Sequence, residues 1–280
     1  VYHRTGLYPL PMPSGLGLEA AGTVTAVGDE VTDLAVGDRV GYASPPIGAY
    51  AQERRMPAHR LVRLPDSIDD QTAAAVMLKG LTAQYLLRRT YRVQRGETIL
   101  FHAAAGGVGL LACQWARHLG ATVIGTVGSD EKAELARAHG CDHVIVYSRE
   151  DVVERVNDIT DGAGVPVVYD AVGQATWEAS LDCLQRFGTM VSFGNASGPV
   201  EPMAPTLLAA KGSLFLTRPT VMDYTAARAD LVRGAEEVFE VVGSAAVRVE
   251  VRQTYPLADA AQAHRDLEAR RNTGSTVLLP

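Results

Sequence analysis

At 280 residues, 47% of them hydrophobic and 21% charged, the chain has room for one large domain or two ordinary ones. Its formal net charge of −6 at pH 7 leaves no global basic field to attract nucleic acid or a membrane surface. No apolar run reaches the roughly 20 residues of a membrane span and no signal peptide is visible, so the expected location is cytoplasmic. The first residue is Val1 rather than Met, which leaves room for a lost leader. Cys113, Cys141 and Cys183 include no C-x-x-C pair, which indicates neither a disulfide framework nor a zinc ribbon.

Residues 1–17 are rich in Pro, Gly and Tyr and read as irregular loop. Strand-like segments follow at 19–28, 36–42, 48–52 and 61–64. Short strands at turn-punctuated intervals predict a small barrel-like β domain. The acidic segment 66–70 caps a helix over 71–78, and Gly80 separates it from a second helical pattern at 82–89. From Thr98 the texture alternates. Strands are expected at 98–102, 122–127, 143–147, 166–170, 189–193 and 213–217. Helices fall between them, at 108–119, 130–139, 150–159, 175–186 and 204–210. This alternation predicts a parallel, doubly wound α/β sheet. After Pro219 come an amphipathic helix (224–243), a strand (248–254), a helix (258–270) and a last strand (276–279).

The first strand of the alternating region runs into a small-residue turn, 103–109, followed by Leu110, Leu111, Trp115 and Leu119 at near-helical spacing. Ala104, Gly106 and Gly109 occupy the three positions of G-x-G-x-x-G, with Ala in place of the first Gly. Strand, glycine-rich turn and helix, in that order, are the context a dinucleotide fingerprint needs. A side chain at Gly106 would keep the backbone from a pyrophosphate, and one at Gly109 would push the helix off the strand. The helix N-terminus offers unpaired N–H groups and a partial positive charge to the anion. These flanks favour a nucleotide site over a bare tight turn.

Three groups of residues carry a resemblance: Gly96-Glu-x-x-Leu100, then Ala104-Ala105-Gly106-Gly107-x-Gly109, then Gln114 and Arg117. Together they resemble the signature of the quinone oxidoreductase/ζ-crystallin family, within the medium-chain dehydrogenase/reductase superfamily. Other segments match the family in the right order: Arg4-Thr-Gly-Leu-Tyr8, Gly17-x-Glu19-Ala-Ala-Gly22, Val36-Gly-Asp-Arg-Val40, Leu78-Lys-Gly-Leu-Thr82, Asp170-Ala-Val-Gly173 and Phe193-Gly-Asn195. The resemblance implies a Rossmann NADPH-binding domain over 82–217. It also implies a GroES-like, partly barrel-shaped catalytic domain built from 1–81 and 218–280. The implied activity is zinc-independent, NADPH-dependent reduction of a quinone or other conjugated acceptor held in the cleft between the domains. A homodimer through an edge strand near 212–218 is implied as well. In one respect the sequence departs from the family. An N-terminal segment with early barrel strands and an Asn-x-x-Asp motif has no counterpart here, so either the sequence is incomplete or part of the active site is missing.

Zinc divides this superfamily. Where the zinc alcohol dehydrogenases have Gly-His-Glu, this chain has Gly17-Leu18-Glu19, and Leu18 has no lone pair to give a metal. No metal ligands are therefore expected. An NAD site would carry an acid near the end of the second strand, and segment 125–129 has none. Asp130 is read as the first-turn acid of the next helix. By resemblance, Lys132 meets the 2′-phosphate of NADPH, with Ser129 and Tyr147 nearby; the plainer reading of Lys132 is a solvated helix lysine. The implied cofactor set continues with Ala105, Gly106, Gly107, Val108 and Gly109 at the pyrophosphate. Val172, Phe193, Gly194 and Asn195 lie in strand-end loops near the carboxamide. Thr217, Arg218 and Arg271 reach toward the phosphates, with surface arginines as the alternative. Thr82 is placed near the nicotinamide, or is an N-cap, or both. Lys79 is a structural ion pair in preference to a catalytic cation. Tyr2 and Tyr8 match family tyrosines lining the acceptor pocket, where a flat aromatic stacks; otherwise they only pack. Rival functions are an enoyl or 2-alkenal reductase and a non-catalytic, crystallin-like NADPH-binding protein. Nucleic-acid binding is disfavoured by the net charge.

Overall fold

A computed structural model describes residues 1–280 apart from Tyr2, Leu7, Tyr8, Arg270 and Asn272. The chain forms two units. The first comprises Val1–Leu81, Thr225–Ala245 and Val249–Pro280; the second comprises Thr82–Tyr224 and Ala246–Arg248.

The first unit opens with an antiparallel sheet, β1 (Glu19–Thr23), β2 (Arg39–Ala43) and β3 (Val62–Arg63), in that spatial order. Leu34, Val40, Tyr42 and Leu61 form its small core. Segment 48–52, expected as a strand, is not one. Gly48 has φ +130°, and the N–H groups of Gly48 and Ala49 both donate to the Gly17 carbonyl, at 2.9 and 3.2 Å. Those donors close a turn instead of extending a ladder. Helix α1 (Asp70–Tyr85) follows. Asp69 caps it: Oδ1 accepts the Thr72 N–H at 2.8 Å, and this bond holds the Asp69 carboxyl below the usual carboxylate range. A π-helical turn, Leu86–Thr90, ends the run.

The second unit alternates strictly: β4 (Thr98–Phe101), α2 (Gly107–His118), β5 (Thr122–Val127), α3 (Asp130–Ala138), β6 (His143–Val146), α4 (Val152–Ile159), β7 (Val165–Asp170), α5 (Trp177–Asp182), β8 (Leu184–Ser192), α6 (Thr206–Ala210), β9 (Phe215–Thr217) and α7 (Val221–Tyr224). Its six strands pair in parallel in the order β6-β5-β4-β7-β8-β9. The order reverses between β4 and β7, and that reversal opens a crevice at their carboxyl ends. The helix expected at 175–186 is confined to α5, because Leu184 already pairs with Val165 as β8 begins. Gln114, part of the sequence signature, has a structural task. Its amide donates to the carbonyl of Arg248 at 3.1 Å and accepts the Arg248 N–H at 3.0 Å, holding residues 246–248 in this unit.

The first unit is completed by α8 (Arg228–Gly243), β10 (Val251–Pro256), α9 (Ala260–Glu268) and β11 (Ser275–Leu279). β10 and β11 pair in parallel, and α9 supplies the crossover such a pair requires. Gly80 does not separate two helices as expected; α1 runs straight through it. A Cβ at Gly80 would lie 2.8 Å from Val238 Cγ1 on α8 and 2.9 Å from Val76 Cγ2. The residue is small because α8 crosses here. Gly80→Ala should therefore destabilise the protein by about 1–2 kcal/mol despite the better helix propensity of Ala. Chemical denaturation checks this, and adding Val238→Ala should recover part of the loss.

Candidate nucleotide-binding site

The turn after β4 is built by backbone geometry. Ala103 takes φ +54°, the Gly106 N–H donates back to the Ala103 carbonyl at 2.8 Å, and the Ala104 N–H reaches Thr126 O on β5. A Cβ at Gly109 would fall 2.5 Å from Ala103 O and 2.6 Å from Ala104 O, so only glycine fits. The alanine that replaces the first glycine has its own accommodation. A Cβ at Gly125 would stand 2.7 Å from the Ala104 methyl, so Gly125 on β5 leaves the space that this methyl fills. Gly106 is the N-cap of α2, exposed, in extended backbone, and with no side-chain hydrogen bond. The first N–H groups of α2, at Gly107, Val108 and Gly109, therefore have no capping side chain, and the buried Ala104 and Ala105 precede them. That arrangement suits an anion.

A second group gathers at the ends of β5 and β6. Ser129 caps α3, its Oγ accepting the Lys132 N–H at 3.4 Å. Among the described residues nothing pairs with the Lys132 ammonium. The Tyr147 ring, 54% exposed, lies against Gly128, where a Cβ would come within 2.6 Å of the phenol oxygen. Asp130, in the first turn of α3, has its carboxylate taken by Arg149 at 2.6 Å. A carboxylate so engaged is less available to a ribose hydroxyl. Arg149 was not singled out in the sequence; only its place two residues after Tyr147 could have pointed to it.

The third group lies across the crevice. The carboxylate of Asp170, fully buried at the end of β7, accepts the N–H groups of Val172 at 2.7 Å and Gly173 at 3.0 Å. Segment 193–198 runs beside this loop. Phe193 N–H donates to Asp170 O, Ala196 N–H to Ala171 O, and Ser197 N–H to Val172 O. A Cβ at Gly194 would be 2.5 Å from Ala171 O, which explains the glycine before Asn195. Thr217 pairs with Val191, and the Arg218 guanidinium holds the Ser192 carbonyl at 3.0 Å.

The remaining expected residues are more scattered. Thr82 is buried inside α1, which removes its reading as an N-cap. Arg271 belongs to the first unit, where it pairs with Asp266 at 3.3 Å. Tyr2 and Tyr8 lie outside the described residues. Lys79 sits 3.7 Å from Glu19, whose carboxylate also accepts the Leu78 N–H. Burial pushes the Glu19 carboxyl up, opposed by the Lys79 charge. Glu19 and Lys79 thus form a structural pair. Among the described residues no group of three His, Cys, Asp or Glu could hold a metal ion. His102 and Ser180, both buried and hydrogen-bonded to this region, were missed in the sequence, where a lone His and a lone Ser carry no spacing signal.

The chain is similar to known proteins along its whole length. The family model described as zinc-binding dehydrogenase matches residues 107–240, and the alcohol dehydrogenase GroES-like domain model matches residues 1–66. A quinone oxidoreductase from Pseudomonas aeruginosa is 58% identical over 280 residues, spanning 100% of this chain and 86% of the relative. A 2-haloacrylate reductase from a Burkholderia species is 47% identical over 286 residues, with 100% of this chain and 86% of the relative covered. The crystal structure of Escherichia coli quinone oxidoreductase complexed with NADPH superposes with a TM-score of 0.97 at 51% identity, covering 100% of this chain and 86% of that one. The chain belongs to the quinone oxidoreductase family of the medium-chain dehydrogenase/reductase superfamily.

Proposed function

We propose that this oxidoreductase is an NADPH:quinone reductase that works without zinc. The observation that carries the reading is the pairing of two features: a turn that only glycine at 109 permits, and a helix start on α3 whose lysine has no partner among the described residues. The first suits a pyrophosphate, the second a 2′-phosphate. The similarity to a quinone oxidoreductase complexed with NADPH supports it.

When bound, NADPH supplies a hydride. The chain's part is binding and orientation. The N–H groups at 107–109 and the dipole of α2 offset the pyrophosphate charge. Lys132, with Ser129 and Tyr147 beside it, meets the 2′-phosphate. A cation at ~4 Å contributes about 1–4 kcal/mol, depending on screening. Backbone groups of 172–173 and 193–195 hold the carboxamide, with Phe193 tilted on Phe101 at 5.7 Å. Arg218 and Arg271 are proposed phosphate contacts, reached by leaving Ser192 O and Asp266. Thr82 is proposed to lie near the nicotinamide, and Tyr2 and Tyr8 along the acceptor. A quinone is electrophilic enough to accept reducing equivalents without a Lewis acid, in keeping with Leu18 at the zinc-ligand position. Proximity then carries most of the rate.

A homodimer is the proposed assembly. β9 is an edge strand, with Phe215 61% and Leu216 39% exposed on it. An exposed apolar edge invites pairing with a second copy. The cytoplasm is the proposed compartment, in keeping with three free, buried cysteines; no described helix is long and apolar enough to cross a membrane.

Steady-state kinetics should give a kcat/KM for NADPH at least about tenfold above that for NADH, and Lys132→Ala should remove most of that ratio. Equal values in the native protein would end the role assigned to Lys132. Across an acceptor panel, benzoquinone should be reduced faster than 2-chloroacrylate, with rates unchanged by a chelator; the reverse order would favour the activity of the haloacrylate relative. Light scattering on the eluted protein should give a dimer, and Phe215→Arg should shift it to monomer with an unchanged far-UV circular dichroism spectrum.

A further inference from the structure

A polar chain runs through the core beneath the crevice, and no step of the proposed reaction uses it. Thr126 Oγ1 lies 2.9 Å from His102 Nδ1, and His102 Nε2 lies 3.0 Å from Ser180 Oγ. Ser180 Oγ donates to Asp170 Oδ2 at 2.7 Å, as does Thr176 Oγ1. The other carboxylate oxygen holds the N–H groups of Val172 and Gly173. Thr126, His102, Ser180 and Asp170 are each at most 1% exposed.

The proton order follows from the carboxylate. The Ser180 hydroxyl donates to Asp170 Oδ2, so its one hydrogen is spent there. Ser180 must then accept from His102 Nε2–H, and Nδ1 must accept from Thr126. The imidazole is neutral, with one tautomer dictated by its neighbours. Burial agrees with this: it holds the imidazole below its ordinary pKa, with the Asp170 charge opposing. A buried chain of this kind costs stability unless every member is satisfied, and here each has a partner. It joins three strand ends, β4, β5 and β7, to α5. His102 is bonded directly to Ala103, the start of the glycine turn. At the far end, Asp170 sets the backbone of Val172.

We propose that His102 is a positioning residue: through Ser180 and Asp170 it ties the glycine turn to loop 171–173, fixing where the nicotinamide end of the cofactor lies relative to its pyrophosphate. It touches neither cofactor nor acceptor. This rests on the NADPH reading above. The tie spans the point where the sheet order reverses, between β4 and β7, so a small shift there moves the two backbones apart. Misplacing reacting atoms by about an ångström costs roughly a hundredfold in rate.

The test compares His102→Leu, Ser180→Ala and His102→Gln, whose amide nitrogen can replace Nε2 as donor to Ser180. His102→Leu and Ser180→Ala should lower kcat by about tenfold or more and raise the isotope effect with 4-deuterated NADPH. The NADPH Kd should stay within about threefold, because the phosphate contacts are untouched. His102→Gln should keep most of the rate. Should His102→Leu fail to fold, Thr126→Val, which removes only the Nδ1 partner, should show the same split in smaller measure. Unchanged kcat in both truncations, or kcat and Kd weakened alike, would overturn the proposal. Hydrogen exchange on the free protein separates this from the function itself: Ser180→Ala should speed exchange at Val172 and Gly173, and unchanged exchange there overturns the tie whether or not NADPH is the cofactor. Native protein that neither binds nor oxidises NADPH would instead overturn the proposed function.

Discussion

Helix α2 begins in contact with the backbone of the turn that precedes it, and the nucleotide end of the second unit depends on that contact. The contact exists because residue 109 has no side chain, the Ala103 and Ala104 carbonyls standing where its Cβ would be. Its consequences spread outward. The turn closes on itself with Ala103 at positive φ. The Ala104 methyl then projects toward β5, and Gly125 gives it room. Three consecutive N–H groups are left with no side chain to cap them. A helix start pressed this closely against a strand end suits an anion.

Charge does the next sorting. The first turn of α3 carries an acid and a lysine, and the fold treats them differently. Asp130 is drawn to Arg149 from the end of β6, while Lys132 stays unpaired among the described residues. An exposed ion pair of this kind adds little stability. Its effect is on local sign: the acid is neutralised and the lysine is not. Across the crevice Asp170 has the opposite fate. It is buried, and its four hydrogen bonds turn a carboxylate into a scaffold for loop 171–173. Three charged side chains thus serve three ends, none of them readable from residue type alone.

Much of the second unit was legible because its signals are local and redundant. Alternating apolar runs and glycine stops placed all six parallel strands, and a period near 3.6 placed α2 and α3 to within a residue or two. Failures cluster where a distant segment sets the outcome. Gly80 looked like a helix boundary, yet it is a contact point for Val238 from far along the chain. Segment 48–52 has strand composition, but the Gly17 carbonyl takes its donors. Gln114 stood in the signature without a reason until Arg248 was found on its amide.

What the sequence determined by itself was the doubly wound class, the place of the glycine turn and the family. Each follows from residue types at short spacing, where sterics and hydrogen-bond needs act within one turn or strand. What only the tertiary structure decided was partnership. It decided that Asp130 belongs to Arg149, that Asp170 bonds its own loop, and that His102 reaches Ser180 78 residues away. The physical reason is that a buried polar group must find partners wherever the folded chain brings them, and sequence spacing carries no record of that meeting.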